Sequence, residues 1–223
     1  LMNLTKSYIL TLLITLFFNC SENKETTIIT VEEGKIGMIG YGSLMSKKSM
    51  EHTLKRKYED SIYLVHLQGY KRAWNYYTPI NSPSKEFFYL HESDTIPIHN
   101  SLSLNIMDSE NEKINCVLFF ITPEELVEFD KRELVYKRID VTDKIEELQF
   151  EGGSVYAYKA EPEHTYYYHQ ENNTVLPKRY LELVTNACDS IGKSFRDEFE
   201  SSTKPYNKET VVSKSNIISK TKK

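Results

Sequence analysis

The sequence predicts a strand-dominated α+β domain, and three observations carry that expectation. Runs of aromatic and β-branched residues recur along the chain and are broken by Asn, Ser, Pro and Asp clusters. Helix signals are confined to three places. Aromatic residues make up 12% of the chain, with 16 tyrosines among them, a composition that suits half-buried pleated surfaces.

Taken in order, Ile36, Met38 and Ile39 lead into Gly40-Tyr41-Gly42-Ser43, so a first strand ends in a glycine-bearing turn and residues 46–56 follow with helical character. Strand-like runs come next at residues 61–67, 71–77, 86–90, 101–107 and 115–121, with the polar stretch from Asp108 to Glu112 reading as a hairpin loop. Thr122-Pro123-Glu124-Glu125 then opens a helix: Thr caps, Pro is tolerated at the first helical position, and Glu125 completes a capping box. That helix should end near Arg132 or Glu133. Strands resume over 135–141 and 154–160, and a helix rich in Leu, Val and Ala covers about 178–192.

A chain of 223 residues supports one well-packed domain, expected over residues 35–199. The flanks differ from it. Lys6 and the apolar run from Tyr8 to Phe18 have the shape of a signal peptide, too short for the roughly 20 residues that span a bilayer as a helix. Cys20, followed by Ser21, Glu22 and Asn23, reads as the acylated cysteine of a bacterial lipobox. Asn19, Phe18 and Phe17 stand where that pattern has small residues, so cleavage without lipidation and a retained anchor are the alternatives. The expected setting is the bacterial cell envelope, with the protein held at the membrane through a lipid anchor or its signal segment. Residues 21–34 read as a polar tether and residues 200–223, rich in Ser, Thr and Lys, as a flexible tail. A formal net charge of −4 argues against binding a phosphate backbone, so nucleic acid is not an expected partner. Cys116 and Cys188 sit in strand-like and helix-like runs and are read as buried small hydrophobes, without a disulfide.

Two places in the domain have chemistry to offer. The turn Gly40-Tyr41-Gly42-Ser43-Leu44 can converge backbone N–H groups on a carboxylate or an oxyanion. Glu133 falls at i+4 from Phe129 and i+7 from Leu126, on the apolar face of its helix, where partial desolvation would raise its proton affinity. His164 and His169 are not spaced to share a helical face and no Cys or carboxylate pattern completes a site, so no metal is expected. A G-x-S-x-G elbow is lacking too, which leaves Ser43 with only part of a serine hydrolase setting.

The segments YGSL (41–44), GYKRAWNYY (69–77), ITPEELVEFDKRELVYKRIDV (121–141) and LPKRYLELVTNACDSIG (176–192) occur in an order that resembles the γ-glutamylcyclotransferase superfamily, including its AIG2-like and ChaC-like branches. The resemblance covers about residues 35–192. It implies a small mixed β-barrel with flanking helices, Glu133 as the acid-base residue, Tyr41, Gly42, Ser43 and Leu44 as the substrate loop, and Tyr136 as a substrate-site tyrosine. The reaction it implies is cyclisation of a γ-glutamyl group to 5-oxoproline with release of an amine, from a small γ-glutamyl compound or peptide, without metal or organic cofactor. Leu44 departs from the Asn common in glutathione-pathway members, so the same substrate does not follow. The rival readings are an exported binding or scaffold module on the same fold, and an acyl- or amine-transfer enzyme.

Overall fold

The computed structural model describes residues 27–80, 82–165 and 173–222. The signal segment with Cys20, residues 21–26 of the tether, and His169 lie outside the described residues. Along the chain run β1 (Thr27–Thr30), β2 (Ile36–Gly40), α1 (Lys47–Leu54), β3 (Tyr63–Pro79), β4 (Lys85–His91), β5 (Asp94–Ile98), β6 (Asn100–Ile121) and α2 (Pro123–Arg132). They are followed by β7 (Tyr136–Asp140), β8 (Leu148–Glu151), β9 (Val155–Ala160), β10 (Thr174–Pro177), α3 (Lys178–Ile191), α4 (Lys193–Ser201), β11 (Thr203–Lys204), β12 (Val211–Val212) and β13 (Ile217–Thr221).

The fold is α+β, built on a mixed sheet in the order β11-β3-β6-β2-β9-β7, with β10 and β12 attached at one end of β6. β2 lies antiparallel to β6 and parallel to β9, so the glycine turn follows an interior strand of the sheet rather than an edge. Isolated bridges from Leu67 to Ile145 and from Tyr76 to Thr165 tie the segments after β7 and β9 back to β3, curling the sheet toward a barrel. Met38, Ile39, Leu104, Ile106, Leu118 and Phe119 form the middle of one large core, each at most 1% exposed. Cys116 and Cys188 are free thiols buried in it, and burial pushes them up to about 12 and about 11.

Four expectations differ from the structure. The runs at 61–67 and 71–77 are one strand, and those at 101–107 and 115–121 are another, because β3 and β6 pair along almost their whole lengths. The stretch from Asp108 to Glu112 is therefore not a hairpin loop: the chain continues in the same direction, and Ser109 to Glu112 bulge out of the ladder opposite Gly69, whose φ of 82° marks the matching irregularity in β3. A polar run next to two apolar ones signals a break in burial, and here that break is met by a bulge.

The expected tether is folded from Thr27 onward, where β1 pairs in parallel with β8. The expected flexible tail supplies three strands, with β11 beside β3, β12 beside β10, and β13 beside β4 over five residue pairs. Its composition hid this. Val212 and Thr203 are buried, while Lys204 and Lys208 between them are exposed, and a count of polar residues reads such a segment as disorder.

Candidate active site

The glycine turn is shaped by Gly40. A Cβ on this residue would stand 2.7 Å from the backbone C and O of Leu44, so only glycine lets the chain fold back over the end of β2. Gly42 is less restricted, since a Cβ there would meet Tyr180 Oη at 3.4 Å and Leu104 at 3.5 Å, ordinary contacts. Residues 43–45 form a short 3-10 turn in which the Met45 and Ser46 amides bond back to the Gly42 and Ser43 carbonyls at 2.9 and 3.2 Å. The Ser43 and Leu44 amides stand at the head of that turn, where helical geometry provides no acceptor. Ser46 caps α1, its hydroxyl accepting from the Ser49 amide.

Tyr41 is fixed at both ends. Its hydroxyl donates to the Tyr158 carbonyl at 2.6 Å, and its own carbonyl accepts from Arg72 Nη1 at 2.9 Å. Arg72 is wholly buried and also donates to Asn115 Oδ1, Thr203 Oγ1 and Ser202 Oγ, with its guanidinium 4.1 Å from the centre of the Phe199 ring. Burial lowers its pKa to about 10, still leaving it charged at neutral pH.

Glu133 comes from the other side. α2 has the expected capping box, with the Glu125 amide donating to Thr122 Oγ1 and the Thr122 amide to a Glu125 carboxylate oxygen. Leu126 and Phe129 are buried beneath it, and Glu133, the residue that ends the helix, continues their face inward. Its side chain is 15% exposed, and burial raises its pKa above the ordinary carboxyl value, partly opposed by Arg132, whose Nε lies 3.0 Å from a carboxylate oxygen.

These parts meet in one cavity of about 160 Å³. Tyr41, Gly42, Ser43, Leu44, Glu133 and Tyr136, singled out from the sequence, all line it. Tyr136 donates to the Leu104 carbonyl at 2.8 Å, and its ring lies 4.2 Å from that of Tyr76. The rest of the wall was not anticipated: Tyr76, Tyr158 and Tyr180 arrive from β3, β9 and α3, and Arg132 from the residue before Glu133. Tyr180 accepts from the Leu104 amide and its pKa is pushed up to about 12, first by burial. Burial raises Tyr41, Tyr76, Tyr136 and Tyr158 as well, so at neutral pH the tyrosines are neutral, and Glu133 and Arg132 are the acidic and the basic side chain of the cavity wall. Tyr76 and Tyr180 both belong to quoted motifs, and a periodicity argument on α3 could have found Tyr180; Tyr158 carries no local signal.

Among the described residues, one group brings metal-ligand atoms together: His66, Glu146 and Glu147, within 4.8 Å of one another. Both ring nitrogens of His66 are engaged, Nδ1 with Glu147 and Nε2 with Glu198 at 2.6 Å, and Lys113 holds Glu146. The group is a proton-bridged cluster away from the cavity.

Neither a protein-family model nor a curated protein sequence matches this chain. Among solved structures it is similar to one described as gamma-glutamyl cyclotransferase, with a TM-score of 0.51 and 10% identity over 80% of this chain and 94% of that one. Weaker likenesses are to an uncharacterized protein from Homo sapiens (TM-score 0.49, 13% identity, 78% and 92% covered) and to YkqA from Bacillus subtilis (0.47, 16%, 76% and 54%). The fold comparison rests on the first of these. The chain is thus an α+β protein with a carboxylate-bearing, tyrosine-walled cavity. Its fold is γ-glutamyl cyclotransferase-like.

Proposed function

We propose that this protein cyclises a γ-glutamyl group to 5-oxoproline and releases an amine, with Glu133 as general acid and base. The observation that carries the reading is that a desolvated carboxylate of raised proton affinity shares one small cavity with the Tyr41 to Leu44 turn. Glu133 takes a proton from the substrate's α-ammonium. The freed nitrogen lone pair attacks the substrate's γ-carbonyl carbon, forming the ring C–N bond, while the carbonyl electrons move onto oxygen. Collapse of that oxyanion breaks the bond to the leaving nitrogen, which receives the proton from Glu133; the regenerated carboxylate then takes the remaining extra proton from the ring nitrogen and passes it to the departing amine, leaving 5-oxoproline and an ammonium. The attack is intramolecular, so proximity comes from the substrate, and the protein supplies a folded substrate conformation and one proton carrier. Amides of the turn are the proposed oxyanion donors.

Leu44 lines the cavity and brings no side-chain amide to it, so a glutathione-pathway substrate does not follow. We place the protein at the bacterial envelope, anchored through Cys20, which makes a γ-glutamyl peptide of that compartment the candidate substrate. The test is release of 5-oxoproline and free amine from a library of γ-glutamyl amines and peptides. Turnover that survives Glu133→Gln sinks the assigned role, and a library without turnover but with binding favours the non-catalytic module.

A further inference from the structure

We propose that Arg132 is a positioning residue of this site, holding the Glu133 carboxylate against the cavity wall and fastening it to the Ser43 turn and to α1 as one unit. The inference rests on the reading of Glu133 given above. Arg132 lines the cavity, and a guanidinium there invites the role of a receptor for a substrate carboxylate. Its bonds point elsewhere. Nη1 donates to Thr53 Oγ1 at 2.7 Å and to the Ser49 carbonyl at 3.2 Å. Nη2 donates to Ser43 Oγ at 2.9 Å and to Ser49 Oγ at 3.1 Å. Two bonds at each terminal nitrogen use all four of their hydrogens, and Nε, the remaining donor, lies 3.0 Å from Glu133. The planar fork therefore joins the end of α2 to the turn after β2 and to α1, which lie 79 to 89 residues earlier in the chain.

The electrostatic consequence follows from what else surrounds Glu133. Tyr41 from the turn, Tyr76 from β3, Tyr136 from β7, Tyr158 from β9 and Tyr180 from α3 are the titratable groups that interact with it, all neutral at working pH. Asp130, the nearest other acid on α2, is bonded to Tyr158 and paired with Arg138. Arg132 is the charge that opposes desolvation at Glu133. It keeps the carboxyl from holding its proton too firmly to act as a base.

The test is a direct NMR titration of the Glu133 side-chain carboxyl in the full chain, compared across variants. Arg132→Gln should raise the midpoint by about one unit, a tenfold change in proton affinity and the low end of what a close opposite charge produces. Arg132→Lys keeps the charge without the fork and should restore most of that shift. Should Arg132→Gln not fold, the double variant Ser43→Ala and Thr53→Val decides the matter: it detaches the guanidinium while leaving its charge, and should move the midpoint in the same direction by less. An unmoved midpoint in Arg132→Gln, or in the double variant where it stands in, overturns the proposal. The titration needs no substrate, so absent γ-glutamyl turnover counts against the proposed reaction, whereas an unmoved midpoint in an active enzyme counts against Arg132 alone.

Discussion

Replacing Arg72 by Met tests whether the buried guanidinium network around the glycine turn stabilises the fold. The substitution keeps an unbranched stem of similar path and removes every donor. Four bonds are lost, to Tyr41 O, Asn115 Oδ1, Thr203 Oγ1 and Ser202 Oγ, together with the stacking on Phe199. Hydrogen bonds to a charged group contribute about 1.5–3 kcal/mol each, and at the lower figure four of them amount to about 6 kcal/mol. Against this stands the cost of burying the charge. The pKa falls from 12.5 to about 10, and at roughly 1.4 kcal/mol per unit that is a penalty of about 3 kcal/mol, which Met does not bear. The expected net loss is therefore about 3 kcal/mol, in line with removing one partner from a buried polar network. With a urea slope of about 2 kcal/mol/M for a domain of this size, the midpoint should fall by about 1.5 M at unchanged slope. Urea unfolding followed by tryptophan fluorescence reads it, since Trp74 lies two residues along β3. A midpoint within 0.2 M of the parent, on the order of a surface substitution, would refute the claim that this network stabilises the fold.

Gly40→Ala forces a Cβ to within 2.7 Å of the Leu44 backbone and should destabilise by about 1–3 kcal/mol, as overpacking does, while Gly42→Ala, meeting contacts no shorter than 3.4 Å, should cost less; paired thermal melts distinguish them. Glu133→Gln should lower kcat on any γ-glutamyl substrate by about 10²–10⁴-fold with binding largely retained, measured by turnover and calorimetry separately. His66 supplies a pH prediction. Burial disfavours its charged form, yet the bonds to Glu147 and Glu198 outweigh burial and raise its pKa. The imidazolium's contribution is therefore complete below the unfolded value of about 6.5 and is lost as pH rises through the folded one, so the stability gap between the parent and His66→Gln should narrow from pH 6 to pH 9 in urea titrations.

The elements legible in the sequence are those whose causes lie within a few residues of one another. The capping box at Thr122 and Glu125, the inward face shared by Leu126, Phe129 and Glu133, and the glycine turn after β2 depend on neighbours at i+3, i+4 and i+7, and each stands where its local pattern puts it. The pattern of strand-like and helix-like runs carried the α+β class, and the resemblance of the quoted motifs to γ-glutamylcyclotransferases carried the mixed barrel. What the tertiary structure alone decided is pairing and enclosure. The polar run from Asp108 to Glu112 became a bulge because β3 and β6 continue past it together, and the Lys-rich end of the chain became strands because β3, β4 and β10 had edges to receive it. Tyr76, Tyr158 and Tyr180 close the cavity from three separate elements, and Arg72 joins the turn to Thr203 across 131 residues of sequence. Local propensity is a property of the backbone within a turn or two. Buried polar networks and cavity walls exist only once distant segments have excluded water between them, and no window of sequence contains that condition.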